Sequence, residues 1–360
     1  MIGDRKIKEN LYLSYLPFKQ GGIPMLKVAI IGLGDISKIH IPAIQDSKKA
    51  ELVATCDIDE SLKDTVPAVP FYTDYEEMLE KESLDCVHIC LPHHLHYPAT
   101  KAFVEKGVHV IQEKPLARNA EEGMFLTELE EKYKDVKICI SFQNRFNETF
   151  IKLKELVDSG EYGEVKGIKG LVTWFRPKSY YDEKPWRGTF RQSGGGVMIN
   201  QAIHTLDLMQ IIGGEIDTIR GSIDNLFEYG YDVEDTATAN IQFTNGATGL
   251  FFATVTNATN SSVEFQVLLE KGKLTIKDSI LTKTNEEGKK EKVMEDAKLP
   301  GKKFYYGASH DKLINHFYSC IENDTDDYIH VKDAQTSMEM ISAIRRSSEI
   351  KQTIKMEVYK

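Results

Sequence analysis

Lys27-Val-Ala-Ile-Ile-Gly32-Leu-Gly34-Asp-Ile-Ser37 is the stretch on which the fold turns. A short β-branched run passes without a linker into G-x-G-x-x-S, and Ser37 to Ser47 then reads as a helix. In that strand, turn and helix setting, Gly32 permits the tight turn and Gly34 lets backbone approach a diphosphate. The helix start supplies N–H groups and a positive dipole end. Gly32, Leu33, Gly34, Asp35 and Ile36 are therefore the expected dinucleotide loop. Ala50 to Cys56 reads as a second strand. Asp57 at its end, 23 residues past Gly34, can accept from both ribose hydroxyls and would repel a 2′-phosphate. NAD is favoured over NADP.

The alternation continues outward with helix Asp74 to Lys81 behind a Thr73/Asp74 cap, strand Asp85 to Leu91 and helix Tyr97 to Lys106. Strand His109 to Gln112, helix Ala120 to Tyr133 and strand Lys137 to Ser141 follow. Such alternation specifies a parallel sheet, and the expected class is α/β, with a doubly wound N-terminal Rossmann domain over residues 25–145. Past Phe142 the texture changes. After helix Phe150 to Ser159, long strands at 165–175, 236–244, 247–256 and 263–269 predict a C-terminal α+β domain over 146–360, built on a large, mostly antiparallel open sheet. Thr236 to Phe243 alternates with period two, and Asn245-Gly246 predicts a type I′ hairpin. Asn285 to Asp296 reads as a charged surface loop. Helices at about His310 to Glu322 and Lys332 to Ile350 close the chain, with room to pack back on the first domain.

With 360 residues, 41% hydrophobic and 28% charged, the chain has the make-up of a folded protein too long for one core. Its formal net charge of -10, without any basic run carrying aromatics, excludes nucleic acid as an expected partner. No apolar stretch approaches the roughly 18 residues a membrane span needs. Five cysteines without a C-x-x-C read as buried thiols in a reducing, cytoplasmic setting. Residues 1–24 read as a non-native extension, because Gly21-Gly22 lies just ahead of Met25, where such codons can spell a ribosome-binding site of a bacterial gene.

Chemistry-bearing residues gather at the predicted strand ends. His88, His93, His94 and His96 resemble a metal cluster, but their spacing across Pro92 does not let them converge, so no metal is expected. Leu91, Pro92, His93 and His96 read instead as a cofactor-contacting loop after the fourth strand. Glu113-Lys114-Pro115 ends the next strand, and Lys114 there could polarise or protonate a substrate oxygen. Gly194-Gly-Gly opens a predicted helix on which Asn200 and His204 lie one turn apart on one face, His204 being suited to take a hydroxyl proton.

The Gly32 to Ser37 fingerprint, Glu113-Lys114-Pro115 and the Gly194 to Asp207 stretch, in this order, resemble the Gfo/Idh/MocA oxidoreductase family of glucose-fructose oxidoreductases and inositol dehydrogenases. The resemblance runs from about residue 25 to the end, taking in Tyr306-Gly-Ala-Ser-His310 and the final helix. It implies NAD(P)-linked dehydrogenation or reduction of a CH–OH group on a sugar, cyclitol or derivative. It also implies homodimers or homotetramers through the open sheet. Lys114 matches the family's catalytic lysine and His204 its catalytic histidine, and Glu113 with Lys114 falls on the cofactor side. The family's aspartate is Asn200 here, which can still orient a hydroxyl but cannot raise a neighbour's basicity by charge. Arg145, Trp186 and Arg187 are placed around the substrate with Asn200 and His204. Two alternatives stay open: an NAD-dependent glycosidase working by transient oxidation, and a non-catalytic sugar or dinucleotide binder.

Overall fold

Val28, Ala29, Ile30 and Ile31 are fully buried, as a strand covered on both faces requires, and they form the middle of a six-stranded parallel sheet. The computed structural model describes residues 25–297 and 309–356. The sheet contains β1 (Leu26–Ile31), β2 (Ala50–Cys56), β3 (Phe71–Tyr72), β4 (Cys86–Ile89), β5 (His109–Glu113) and β6 (Ile138–Ser141) in the order β3-β2-β1-β4-β5-β6. The order reverses at β1, so the loops after β1 and β4 flank the switch point where open sheets of this kind bind ligands. Five strands stood out in the sequence; the sixth, β3, has only two residues and shows no periodicity. Crossovers run through α1 (Ser37–Asp46), α2 (Tyr75–Lys81), α3 (His96–Val104) and α4 (Ala120–Lys132). Asp74 and Asn119 cap α2 and α4 with their side chains.

After α5 (Glu148–Asp158) the chain enters a nine-stranded sheet, ordered β14-β13-β12-β11-β7-β10-β9-β8-β15. Its strands are β7 (Val165–Thr173), β8 (Ile216–Asp224), β9 (Thr236–Phe243), β10 (Thr248–Thr254), β11 (Glu264–Leu269), β12 (Gly272–Lys277), β13 (Ile280–Thr284), β14 (Lys290–Glu295) and β15 (Ile354–Lys355). Among the described strands of this sheet, only β7 and β10 pair in parallel. On β9, Ala237, Ala239, Ile241 and Phe243 point inward while Thr238, Asn240 and Gln242 point out, as period two dictates. The hairpin after β9 is not type I′. Gly246 alone takes positive φ, at 89°, and its N–H reaches the Phe243 carbonyl, so Thr244-Asn245-Gly246 form a three-residue turn. The expected charged loop at 285–296 is in part β14, whose charged side chains suit an outer strand.

The helices α6 (Lys178–Asp182), α7 (Phe190–Ser193) and α8 (Ile203–Gly213) sit between β7 and β8. Gly170 on β7 brings α8 onto the sheet: a Cβ there would lie 2.5 Å from Thr205 Cγ2 and 2.8 Å from Met209 Sδ. The closing helices are α9 (Ser309–Asn323) and α10 (Val331–Ile350). Helix α9 lies on α1, joined by Ser47 to Asn315 at 2.8 Å, and α10 packs on both α4 and β8. No described helix is long and apolar enough to cross a membrane. The expected extension 1–24 and most of the Tyr306 to His310 motif lie outside the described residues.

Candidate cofactor and acid–base site

Gly32 takes φ 87° and packs so closely on the loop after β4 that a Cβ would lie 2.5 Å from the Cys90 carbonyl oxygen. Leu33 is turned into a small apolar cluster with Ile30, Ile41, Val66 and Cys90, while its N–H donates to Asp57 Oδ2 at 2.7 Å. Asp57 is thus held against the loop at the end of β2, its other oxygen accepting from the Asp59 N–H at 2.9 Å. Helix α1 begins at Ser37 behind Ile36, which provides no side-chain cap, so N–H groups of its first turn stay available to an outside acceptor. A glycine without a side chain at Gly34, an uncapped helix start and a carboxylate at the second strand end fit a dinucleotide.

Beyond β4, Leu91 and Pro92 are half-buried beside this loop. His93 is buried, with Nδ1 2.7 Å from the Ser193 carbonyl and its ring 4.8 Å from Trp186, so it ties the first sheet to the Gly-rich turn. His96 does not face the cleft: Nδ1 lies 2.7 Å from the Pro115 carbonyl and Nε2 2.8 Å from that of Leu91, leaving neither nitrogen for a cofactor.

Glu113 and Lys114, neighbours in sequence, point to different places. Glu113 is buried, with Oε1 3.0 Å from His40 Nε2 and 3.6 Å from His310 Nε2. His40 Nδ1 lies 2.8 Å from His88 Nδ1, and His88 Nε2 2.7 Å from the Tyr318 hydroxyl. One set of neutral tautomers satisfies this chain, with Tyr318 donating to His88, His88 to His40 and His40 to Glu113. Burial pushes the Glu113 carboxyl up, but His310 and His40 outweigh it and hold it well below the carboxylate range. The expected cofactor contact at Glu113 is therefore replaced by a buried polar network that fixes the end of β5.

Lys114 is half-buried and donates from Nζ to the main-chain carbonyl of Asn200 at 3.0 Å. That carbonyl is reachable because Met198–Ala202 forms a π-helical turn before α8, a feature the continuous helix expected here lacks. The Asn200 side chain turns back, donating to the Gly195 carbonyl at 3.3 Å. Burial lowers the Lys114 ammonium below its ordinary value, Arg187 adding and Glu113 opposing. Burial and then the Lys114 charge hold the His204 imidazole well below its usual range, so it is neutral near pH 7. His204 Nδ1 is buried without a partner among the described residues. Its Nε2 lies 3.4 Å from Gln143 Nε2, whose Oε1 is likewise unpartnered, as is Ser141 Oγ at the end of β6. Sequence reasoning does not single out Gln143; its position just past the end of β6 is the available signal.

Arg145 is not in the cleft. Its Nε and Nη2 bind Asp207 Oδ2 and Oδ1 at 2.9 and 2.6 Å, a bidentate pair beneath α8. Burial raises the Asp207 carboxyl, Arg145 opposing. Trp186 and Arg187 lie on a turn over the nucleotide loop, Arg187 pairing with Asp35 at 3.4 Å and lying 4.2 Å over the Tyr180 ring.

Two family models match this chain: the oxidoreductase family, NAD-binding Rossmann fold, over residues 26–141, and the GFO/IDH/MocA C-terminal domain over residues 150–275. An uncharacterized oxidoreductase of Synechocystis sp. is 28% identical over 205 residues, 56% of this chain and 54% of that protein. The chain thus spans about half of that relative, but the myo-inositol 2-dehydrogenase of Thermotoga maritima aligns at 24% identity over 92% of this chain and 99% of its own length. The crystal structure of the WlbA dehydrogenase from Bordetella pertussis, in complex with NADH and UDP-GlcNAcA, superposes with a TM-score of 0.81 at 25% identity. It covers 93% of this chain and 100% of its own. By both halves of its length, the chain belongs to the GFO/IDH/MocA oxidoreductase family and carries that family's NAD-binding Rossmann domain.

Proposed function

We propose that the chain is an NAD-dependent oxidoreductase that interconverts a hydroxyl and a carbonyl on a sugar, cyclitol or sugar derivative, with Lys114 and His204 as its acid–base groups. The observation that carries this reading is a buried His204 nitrogen without a partner among the described residues, one helical turn from Asn200, whose carbonyl binds Lys114 at 3.0 Å. Bound NAD supplies the hydride acceptor. A neutral His204 can take the proton of a substrate hydroxyl, and Lys114 can hold the same oxygen by charge as its carbonyl forms. Gln143 offers a further amide to a hydroxyl-rich ligand. Asp57 holds the adenosine ribose and disfavours a 2′-phosphate. Support for a sugar-like substrate comes from the myo-inositol dehydrogenase and the UDP-GlcNAcA complex among the relatives. The open face of the second sheet, with Leu250 and Leu268 exposed, is assigned to self-association with a second copy.

The test is absorbance at 340 nm with NAD and a panel of cyclitols, pyranosides and nucleotide sugars, for the native chain and Lys114→Ala. NADH formation that Lys114→Ala abolishes supports the assignment. Equal rates in both proteins would remove Lys114 from the chemistry. Aglycone release without net NADH would favour the glycosidase alternative.

A further inference from the structure

We propose that Lys184, carried by the second half of the chain, is a ligand of the cofactor's diphosphate and closes the nucleotide site from above. A Cβ built on Gly34 would lie 3.5 Å from Lys184 Nζ, so the ammonium stands directly over the glycine whose missing side chain opens the loop. Below it, the uncapped start of α1 offers N–H groups.

The loop also carries a carboxylate, Asp35, beside the place where two phosphate charges would come to lie. Two cations already answer it, Lys38 at 3.5 Å and Arg187 at 3.4 Å. Lys184 differs from both: it is half-buried, and it makes no ion pair among the described residues. A cation held partly away from water without a counter-charge points to an anion that arrives from outside. The helix start, worth about half a charge, cannot alone balance a diphosphate next to Asp35. Lys184 supplies the missing positive charge.

Its position is fixed by packing on both sides. The turn Pro185–Gly188 follows it, and Gly188 is pressed against Tyr231, where a Cβ would lie 2.6 Å from the ring. Arg187 stacks on Tyr180, and Trp186 meets His93 of the loop after β4. The cofactor would therefore be gripped between the Gly34 loop and a turn of the second half. This inference rests on the NAD site of the family and concerns a residue outside its fingerprint.

The experiment uses the full chain, titrated with NADH by fluorescence and with ADP-ribose by calorimetry, at low and high salt. For Lys184→Met we expect Kd for both ligands to rise about tenfold, with a flatter salt dependence, because one charge-assisted contact is lost. Lys184→Arg should recover most of the affinity. An unchanged Kd for ADP-ribose in Lys184→Met overturns the proposal. So does an equal loss for adenosine, which lacks phosphate. UDP carries the same group; a loss confined to UDP would assign Lys184 to substrate and overturn it. Failure of the native chain to bind NADH removes the cofactor site itself, and the clamp with it.

Discussion

Lys114 reaches the main-chain carbonyl of Asn200, not its side chain, at 3.0 Å. The carbonyl lies within the π-helical turn at Met198–Ala202, and the contact does not use the side chain at position 200. What that side chain alters is the field around two titrating groups.

Asn200→Asp should therefore move the pH profile, not the architecture. A carboxylate there cannot accept from Gly195, which offers only its carbonyl oxygen at this contact, so it should turn toward the cations. Negative charge raises the values of Lys114 and His204, both now held low by burial. The acid limb of kcat/KM should shift upward in pH, with unfolding temperature nearly unchanged. A superimposable profile would show that position 200 is electrically remote from the reaction.

Arg145→Ala should cost stability before it costs chemistry. It leaves Asp207 buried without its bidentate partner, a loss of about 3–5 kcal/mol in denaturant unfolding. Arg145→Ala with Asp207→Asn should recover part of that loss, since no charge is then left unpaired. A single variant of native stability would show that the pair is dispensable.

Gly170→Val should push α8 away from β7, because Thr205 and Met209 already occupy the space. Overpacking of this kind costs about 1–3 kcal/mol. Since α8 carries His204, kcat should fall while NADH affinity stays close to native. Equal loss of both would indicate general disruption.

Acidification should weaken the fold early. His88, His93, His96 and His204 are all held below the ordinary imidazole value of 6.5, chiefly by burial. The unfolded chain takes up protons near that value while the folded chain refuses them, so stability is lost as pH falls through and below it. Glu113 adds to the loss at still lower pH, because its folded value is depressed and the stabilisation it gives vanishes as it protonates. Unfolding temperature measured from about pH 7.5 to about 5.5 should drop steadily, and His88→Phe with Tyr318→Phe should flatten the slope. A flat profile in the native protein would mean these imidazoles are solvated.

Much of this was legible because burial writes itself into sequence. The uninterrupted apolar run Val28–Ile31 and the alternation Thr236–Phe243 each announce how many faces are covered. Gly32 is readable because a turn at φ 87° against the Cys90 carbonyl leaves no room for a side chain. What was not legible depends on partners far along the chain. Arg145 looked like a cleft residue because nothing local reveals Asp207, and the saturation of His96 depends on the carbonyl of Pro115. The π-helical turn begins where Val197 and Met198 bind Glu234, far along the chain, so the helical spacing of Asn200 and His204 concealed it. Lys184 stood out in no motif, since its meaning lies in a glycine 150 positions earlier.

Helix α10 has a further consequence. It covers α4 and lies along β8, and Ile329, two residues before it, accepts from the Ile140 N–H at the edge of the first sheet. The nucleotide-binding half is therefore finished by a segment that leaves the ribosome long after its own last strand, β6. During synthesis its outer strand and one helix face wait uncovered, exposed to chaperones and proteases, until α10 has emerged. A gene cut between the two halves would yield a first fragment that never receives its final seam, so complementation in trans would require the second fragment to dock before the first could become durable.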